Sequence, residues 1–173
     1  MDTLGEILKI TLPAVIVLIT AYLVIRNMLK DERSRRQQEI TFQTVKLITP
    51  VRLQAYERVI LFLERIAPES LLLRISNPEM NARQLHTVLL TTVRTEFEHN
   101  LSQQIYMTND AWEMVRNAKN TVVRIINKVA SDLPPAATGE ELARTLLEEM
   151  MEIENDPCRL AIDFIKAEFS KMT

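Results

Sequence analysis

The chain contains very little glycine, with 2 such residues among 173. Loops that cradle phosphate, of the GxGxxG or GxxxxGK kind, require several closely spaced glycines. The sequence therefore excludes the common nucleotide-binding enzymes. Cysteine is equally scarce, because Cys158 stands alone. The chain can form neither an intrachain disulfide nor a CxxC metal site, and a buried, inert thiol is expected.

A basic excess is also missing, because the formal net charge is −2. General nucleic-acid binders carry a strong basic excess, so no nucleic-acid partner is predicted. The motifs that hold common cofactors are absent as well, and no cofactor is predicted.

The sequence does contain an uncharged run near its start. Sixteen uncharged residues, ITLPAVIVLITAYLVI, lie between Lys9 and Arg26. As a helix they extend about 24 Å, and flanking apolar residues lengthen this toward the roughly 30 Å of a bilayer core. The start contains acidic residues and no small-residue cleavage site follows, which argues against a signal peptide. Residues 1–29 are therefore predicted to form an uncleaved transmembrane anchor.

The basic residues that flank this run predict its orientation. Residues 1–9 hold one, whereas five lie in residues 26–36, namely Arg26, Lys30, Arg33, Arg35 and Arg36. Lysine and arginine are enriched on the cytoplasmic side of membrane helices. We expect the N-terminus outside and the remainder of the chain in the cytoplasm. The same five cations are candidates for contact with anionic lipid headgroups.

Two further segments follow the anchor. Residues 30–49 read as a basic and polar juxtamembrane stalk, and residues 50–173 as a cytoplasmic helical domain. Apolar residues recur at helical spacing throughout the domain, with no alternation typical of strands. The predicted fold class is all-α, with one transmembrane helix followed by a bundle of five or six helices.

Prolines and polar capping residues predict where the helices begin and end. Thr49-Pro50 is expected to interrupt the stalk helix, because proline cannot continue the hydrogen-bond ladder. Pro68 should start a short helix. Ser76-Asn77-Pro78 is a restart signal, so a long helix is expected over residues 78–105.

The second half of the domain carries clearer signals. Thr108 or Asn109 should cap a helix over residues 110–131, whose apolar stripe comprises Trp112, Val115, Val122, Ile126 and Val129. Thr138 and Glu141 form a capping-box pattern, S/T-x-x-E. A last helix is expected to start at Pro157.

The segment TEFEHNLSQQIY, residues 95–106, concentrates polar groups. Glu96 and His99 form a Glu-x-x-His pair, of the kind that di-metal sites use in duplicate. The other histidine, His86, has Arg83 at the corresponding position, so a two-metal site is excluded. A single metal held by Glu96, His99 and a carboxylate from another helix stays open.

A helical wheel gives a second interpretation of this segment. The apolar face of Leu85 and Leu89 continues into four polar residues, Glu96, His99, Asn100 and Gln103. A hydrogen-bonded network between helices is therefore predicted, with candidate partners Arg52, Glu57, Arg58, Trp112 and Asn117. On this interpretation His99→Ala costs stability. A recognition pocket for a partner or small ligand is the alternative.

The last part of the domain is acidic. Residues 132–173 hold 4 basic and 10 acidic side chains, whereas residues 37–131 hold 11 and 9. A solvated helix face accounts for such an excess, and a docking surface for a basic partner is the alternative.

Three blocks of the sequence, VRLQAYERVILFLERIAP, EFEHNLSQQIY and AWEMVRNAKNTV, resemble a family of short, uncharacterised, membrane-anchored proteins from Bacteroidota. The resemblance extends along almost the whole chain. It implies one N-terminal span, a helical domain and a bacterial inner-membrane setting, and it implies no activity.

Together these observations predict a non-enzymatic, membrane-anchored interaction or assembly module at the cytoplasmic face of the bacterial inner membrane. Its predicted partners are the lipid bilayer and other membrane or cytoplasmic proteins, as in a subunit of a membrane complex, and the sequence also allows a homo-oligomer. A small-ligand sensor or a metal-dependent enzyme, with a site around Glu96 and His99, is the alternative.

Overall fold

Helices account for nearly all of the chain. The computed structural model describes the backbone of residues 3–171 and the side chains of residues 16–28, 32 and 49–171. In chain order the elements are α1 (Thr3–Ile66), α2 (Pro68–Ile75), α3 (Ala82–Asn100), a 3-10 helix (Leu101–Tyr106), α4 (Asn109–Asp132), α5 (Gly139–Glu152) and α6 (Pro157–Ser170). The all-α prediction is confirmed. Within residues 3–171 extended pairing is limited to one isolated antiparallel bridge, between Asn81 and Thr138.

Backbone contacts divide the chain into two units, Met1–Thr49 and Pro50–Thr173. In the first unit, the described side chains of residues 16–28 are all exposed. Among the residues whose side chains are described, no helix is both long and apolar enough to cross a lipid bilayer. The predicted span starts in residues 1–15, whose side chains lie outside the described residues.

The predicted interruption at Thr49-Pro50 is wrong, because α1 continues without a break through Pro50. A proline removes one hydrogen bond of the helical ladder. The residues on either side keep their own bonds, so the turns before and after Pro50 remain helical.

The hydrophobic core belongs to the second unit and surrounds α4. This helix packs against α3, α5 and α6. All five residues of its predicted stripe are buried, so that prediction is confirmed. The largest fully buried side chains around it include Tyr56, Phe62 and Leu63 of α1, Leu85 and Leu89 of α3, Leu142 and Leu146 of α5, and Ile165 of α6. Burying each leucine or isoleucine contributes about 1.5–3 kcal/mol.

Helix α3 starts later than predicted. It begins after Asn81, whose side chain accepts from the backbone N–H of Gln84 at 2.9 Å, while the Gln84 side chain accepts from the Asn81 N–H at 3.0 Å. This reciprocal capping box satisfies two helix donors at once. The segment before it forms a turn in which the Asn77 side chain accepts from the Glu79 N–H. The predicted start at residue 78 is therefore wrong, whereas the predicted caps at Thr108 and Thr138 are confirmed.

The starts of α3 and α5 are joined by backbone hydrogen bonds. The N–H of Ala82 donates to the Ala137 carbonyl at 3.1 Å, and the N–H of Gly139 donates to the Met80 carbonyl at 2.9 Å. A Cβ atom at position 139 would lie 2.6 Å from the Met80 carbonyl oxygen. Close approach of two backbone segments thus requires glycine here.

Gly139→Ala should destabilise the domain. Alanine in a helix is intrinsically better than glycine by up to about 1 kcal/mol, but the clash with the Met80 carbonyl outweighs this gain. We expect the free energy of unfolding to fall by about 1–3 kcal/mol. Urea unfolding, followed by fluorescence of the buried Trp112, measures the change. Ala136→Ser, at an exposed position in the same loop, is the control, and a more stable Gly139→Ala variant would contradict the prediction.

Candidate functional site

Glu96 on α3 is the centre of an ion-pair cluster. Its carboxylate Oε1 lies 2.8 Å from Nη2 of Arg65, in the last turn of α1, and 3.4 Å from Nη1 of Arg74, in the last turn of α2. Arg74 also donates from Nη2 to the backbone carbonyl of Arg65 at 2.9 Å. We call these three residues the Glu96 clamp. It fastens the ends of α1 and α2 to α3.

The two arginines suit their positions as well as their partner. Carbonyl groups at the end of a helix carry partial negative charge, so a cation in the last turn is favourable. The side chain of Glu96 is 13 % exposed, whereas that of Arg65 is 46 % exposed. Solvent screens such a pair, so we assign the clamp about 1 kcal/mol rather than the value of a buried pair.

The predicted partners of Glu96 lie elsewhere. Arg52 donates from Nε to the Tyr106 carbonyl at 3.2 Å, and Glu57 and Arg58 are exposed. Trp112 stacks on Phe97, with ring centroids 5.7 Å apart. Asn117 is also exposed.

Arg65 and Arg74 were missed because they lie 31 and 22 residues before Glu96 in sequence. The local feature that the two arginines share is their position in the last turn of a helix.

His99 does not join the cluster. It is exposed, and its imidazole makes no hydrogen bond or ion pair within the part of the chain that the structure describes. The wheel that aligned His99 with the core face is therefore wrong for this residue. The buried face of α3 includes Val93 rather than His99.

Asn100 and Gln103 are buried, each with 8 % exposure, and both bond locally. The Asn100 Nδ2 donates to the Glu96 carbonyl at 2.8 Å, and the Gln103 Nε2 donates to Ser102 Oγ at 3.4 Å. Among the described residues no buried side-chain nitrogen or oxygen lacks a partner, and no group of three or more His, Cys, Asp or Glu is arranged to hold a metal.

Phe97 connects the polar segment to the core. Its ring contacts Phe62 of α1 at a centroid distance of 5.9 Å and carries the Lys119 ammonium 4.7 Å above it. Because Phe97 also stacks on Trp112, this α3 side chain contacts both α1 and α4. Such aromatic and cation–π contacts add about 0.5–1.5 kcal/mol each beyond burial.

A second polar cluster, which the sequence did not reveal, centres on Glu168 of α6. One carboxylate oxygen accepts from the Tyr56 hydroxyl of α1, and the other accepts from the Thr108 hydroxyl. Thr108 is also the N-cap of α4, where its Oγ1 accepts from the Ala111 N–H. Burial, and then the hydrogen bond to the Glu168 carboxylate, raise the pKa of Tyr56 to about 12.

A groove of about 1000 Å³ is lined by α2, α5, α6 and the end of α1. We call it the apolar groove. Its apolar lining comprises Leu72, Leu73, Leu147, Met150, Met151 and Ile162, together with the buried thiol of Cys158. Leu73 and Met151 are 83 % and 86 % exposed. The groove has no local signature in the sequence, because residues from several helices form it.

Of the five predicted headgroup contacts, Arg26 is exposed on α1. The side chains of Lys30, Arg33, Arg35 and Arg36 lie outside the described residues.

Comparisons with known proteins identify a family without identifying an activity. The sequence model of a family described only as being of unknown function matches residues 2–172, nearly the entire chain. Neither curated proteins nor solved structures gave a match.

Glu96→Gln should lower the unfolding free energy of the domain more than His99→Ala does. Removing the Glu96 charge leaves two arginines without their carboxylate, so we expect a loss of about 1 kcal/mol in unfolding free energy. His99→Ala, at an exposed position, should change it by less than about 0.5 kcal/mol. Urea unfolding at low and high salt measures both, and the Glu96→Gln effect should shrink with salt. Equal losses for the two variants would refute this assignment.

Tyr56→Phe should alter stability most visibly at alkaline pH. The unfolded phenol titrates near its ordinary pKa of 10.0 and the folded one near 12. The stability that comes from the neutral hydroxyl is therefore present below pH 10 and is lost as pH rises through 12. We expect the variant to lose about 1 kcal/mol at pH 7 and to show a shallower alkaline decline than the wild type.

Phe169→Leu is the matched control for Tyr56→Phe, because it removes the ring contact with Tyr56 at 5.3 Å but keeps the hydroxyl. Its alkaline decline should parallel that of the wild type. The Cys158 thiol, whose pKa burial also raises to about 12, is common to all three proteins and cancels. Parallel curves for the wild type and Tyr56→Phe would contradict the assignment.

Proposed function

We propose that this chain, which belongs to the DUF7935 family of unknown function, acts as a membrane-anchored protein-interaction module. The observation that carries this proposal is the apolar groove, in which leucine and methionine side chains stand open to solvent. Exposed apolar surface of this kind, rimmed by polar residues, marks interaction sites in soluble domains. The proposal assigns the domain binding rather than catalysis.

The start of α1 supports the anchoring part of the proposal. Residues 16–25 carry no charge, and their large apolar side chains are between 49 % and 71 % exposed. Thr20, one of the polar groups in this run, donates its hydroxyl to the Ile16 carbonyl within the helix. A helix whose polar groups are satisfied internally suits a bilayer, which offers them no water.

The charge pattern around this run supports the orientation. Residues 26–36 contain five basic residues, whereas residues 1–9 contain one. This difference favours an outside N-terminus and a cytoplasmic domain. The setting proposed is the bacterial inner membrane, as in the Bacteroidota proteins that the sequence resembles. An accessory or assembly subunit of a membrane complex fits this arrangement.

Charge insertion tests the anchor. Arginine in place of both Leu18 and Leu23 should release the full chain from membranes, because a charge within a span costs up to about 2.5–3.5 kcal/mol, the value that applies at its centre. The measurement is the fraction that resists alkaline carbonate extraction. Ile105→Arg, at an exposed apolar position of the domain, is the control and should stay in the membrane. Extraction of the wild-type chain would contradict the proposal.

Chemical crosslinking followed by purification from solubilised native membranes tests the interaction role. We expect a reproducible partner at a defined stoichiometry. A monomer without any reproducible partner would refute that role, whatever the outcome for the anchor.

A further inference from the structure

The apolar groove is lined by both buried and strongly exposed apolar side chains. Its floor is made by Leu72 and Ile162, each 5 % exposed. Its walls are Leu73 of α2 and Met151 of α5, both more than four-fifths exposed. Methionine is flexible and adapts to differently shaped apolar partners. The groove thus combines buried apolar residues with two strongly exposed apolar side chains, one from α2 and one from α5.

The charged residues along the groove are predominantly acidic. Glu64, Glu69, Asp156 and Asp163 line it, against Arg159 and Lys166. Asp156 caps α6 by accepting from the backbone N–H of Cys158 and of Arg159. The other three carboxylates make no ion pair among the described residues, although two cations line the same groove.

The buried thiol of Cys158 lies close to two of these carboxylates. Burial is the first cause that raises the pKa of its thiol, and the charges of Asp156 and Glu64 raise it further. These are two of the carboxylates that line the groove, so negative charge lies next to its apolar surface and favours a cation there.

We propose that the apolar groove binds an amphipathic helix of a partner protein, with an apolar ridge flanked by lysine or arginine. The proposal rests on the interaction role argued above and names the class of partner. A ridge of side chains at positions i, i+3, i+4 and i+7 fits between packed helices and recurs in helix-in-groove recognition. Basic residues beside that ridge would meet Glu64, Glu69 and Asp163.

Two other occupants fit the groove less well. Small-molecule pockets bury most of the surface of their ligand, whereas Leu73 and Met151 along this groove are more than four-fifths exposed. A second copy docked groove to groove would bring two acidic surfaces together, which like-charge repulsion disfavours.

Two matched peptides test the proposal on the full chain in detergent micelles. Both are amphipathic helices of about five turns with the same leucine ridge, one flanked by lysines and the other by glutamates. Fluorescence anisotropy measures their affinities. We expect the lysine peptide to bind at least about tenfold more tightly, with a preference that declines as salt rises. Equal affinities, or preference for the glutamate peptide, would overturn the proposal.

Surface variants locate the binding. Leu73→Ser combined with Met151→Ser should weaken the lysine peptide at least about tenfold, and both positions are exposed enough to leave folding intact. Ile105→Ser, 76 % exposed and outside the groove, is the matched control and should bind like the wild type. Glu69→Lys with Asp163→Lys should transfer the preference to the glutamate peptide. Peptide binding that the groove variants leave unchanged would refute the site.

The partner crosslinked in native membranes separates this inference from the broader role. Loss of that partner in the Leu73→Ser and Met151→Ser double variant, but not in Ile105→Ser, supports the groove. A partner retained by the double variant refutes the groove and leaves the interaction role standing. A thermal shift with a small metabolite that the double variant abolishes, or self-association through the groove, would also overturn the proposal in favour of that occupant.

Discussion

The domain depends on burial of one helix, α4, whose apolar stripe faces three other helices. Because Val115, Val122 and Ile126 are fully buried, any shift of α3, α5 or α6 along α4 would expose apolar surface. Burial alone does not choose the register, since apolar contacts are non-directional. Directional contacts between elements supply it. The Met80–Gly139 hydrogen bond joins the starts of α3 and α5, and Glu168 of α6 accepts from Tyr56 of α1 and from Thr108, the cap of α4.

The parts of the fold that the sequence predicted are those that depend on neighbouring residues. The α4 stripe repeats every three or four positions, and the capping box of Thr138 and Glu141 spans three. The false start at residue 78 shows where local signals conflict. Pro78 and Asn81 both mark helix starts, and Asn81 prevails because its box is completed by Gln84 and its strand-like backbone pairs with Thr138. That pairing joins residues far apart in sequence, so no local pattern could reveal it.

The polar segment illustrates the same limit at the candidate site. The wheel placed Glu96 correctly near the core edge, but the residues that hold it come from two preceding helices. His99 was misplaced because the buried face of α3 is centred on Leu89, Val93 and Asn100, and at about 100° per residue His99 lies to one side of that face. Glu168 had no recognisable motif at all, although it joins α6 to α1 and to the cap of α4.

Of the ten acidic residues within 132–173, four make contacts that stabilise the fold and a fifth, Asp163, lines the groove. Glu141 and Asp156 cap helices, Glu149 pairs with Lys128 at 2.7 Å, and Glu168 bridges three elements. These carboxylates stabilise the fold. Asp163 has no such role and lines the groove together with Glu64 and Glu69 of preceding helices.

The same structural contacts hold the walls of the groove in place. Arg74 fastens α2 to Glu96, the Gly139 N–H fastens α5 to Met80, and Glu168 fastens α6 to Tyr56. Each of α2, α5 and α6 is thus tied to the remainder of the domain by at least one directional contact. A groove assembled in this way is formed in the free domain. The partner helix that we propose would therefore bind with little ordering of the domain, which reduces the conformational entropy lost on association.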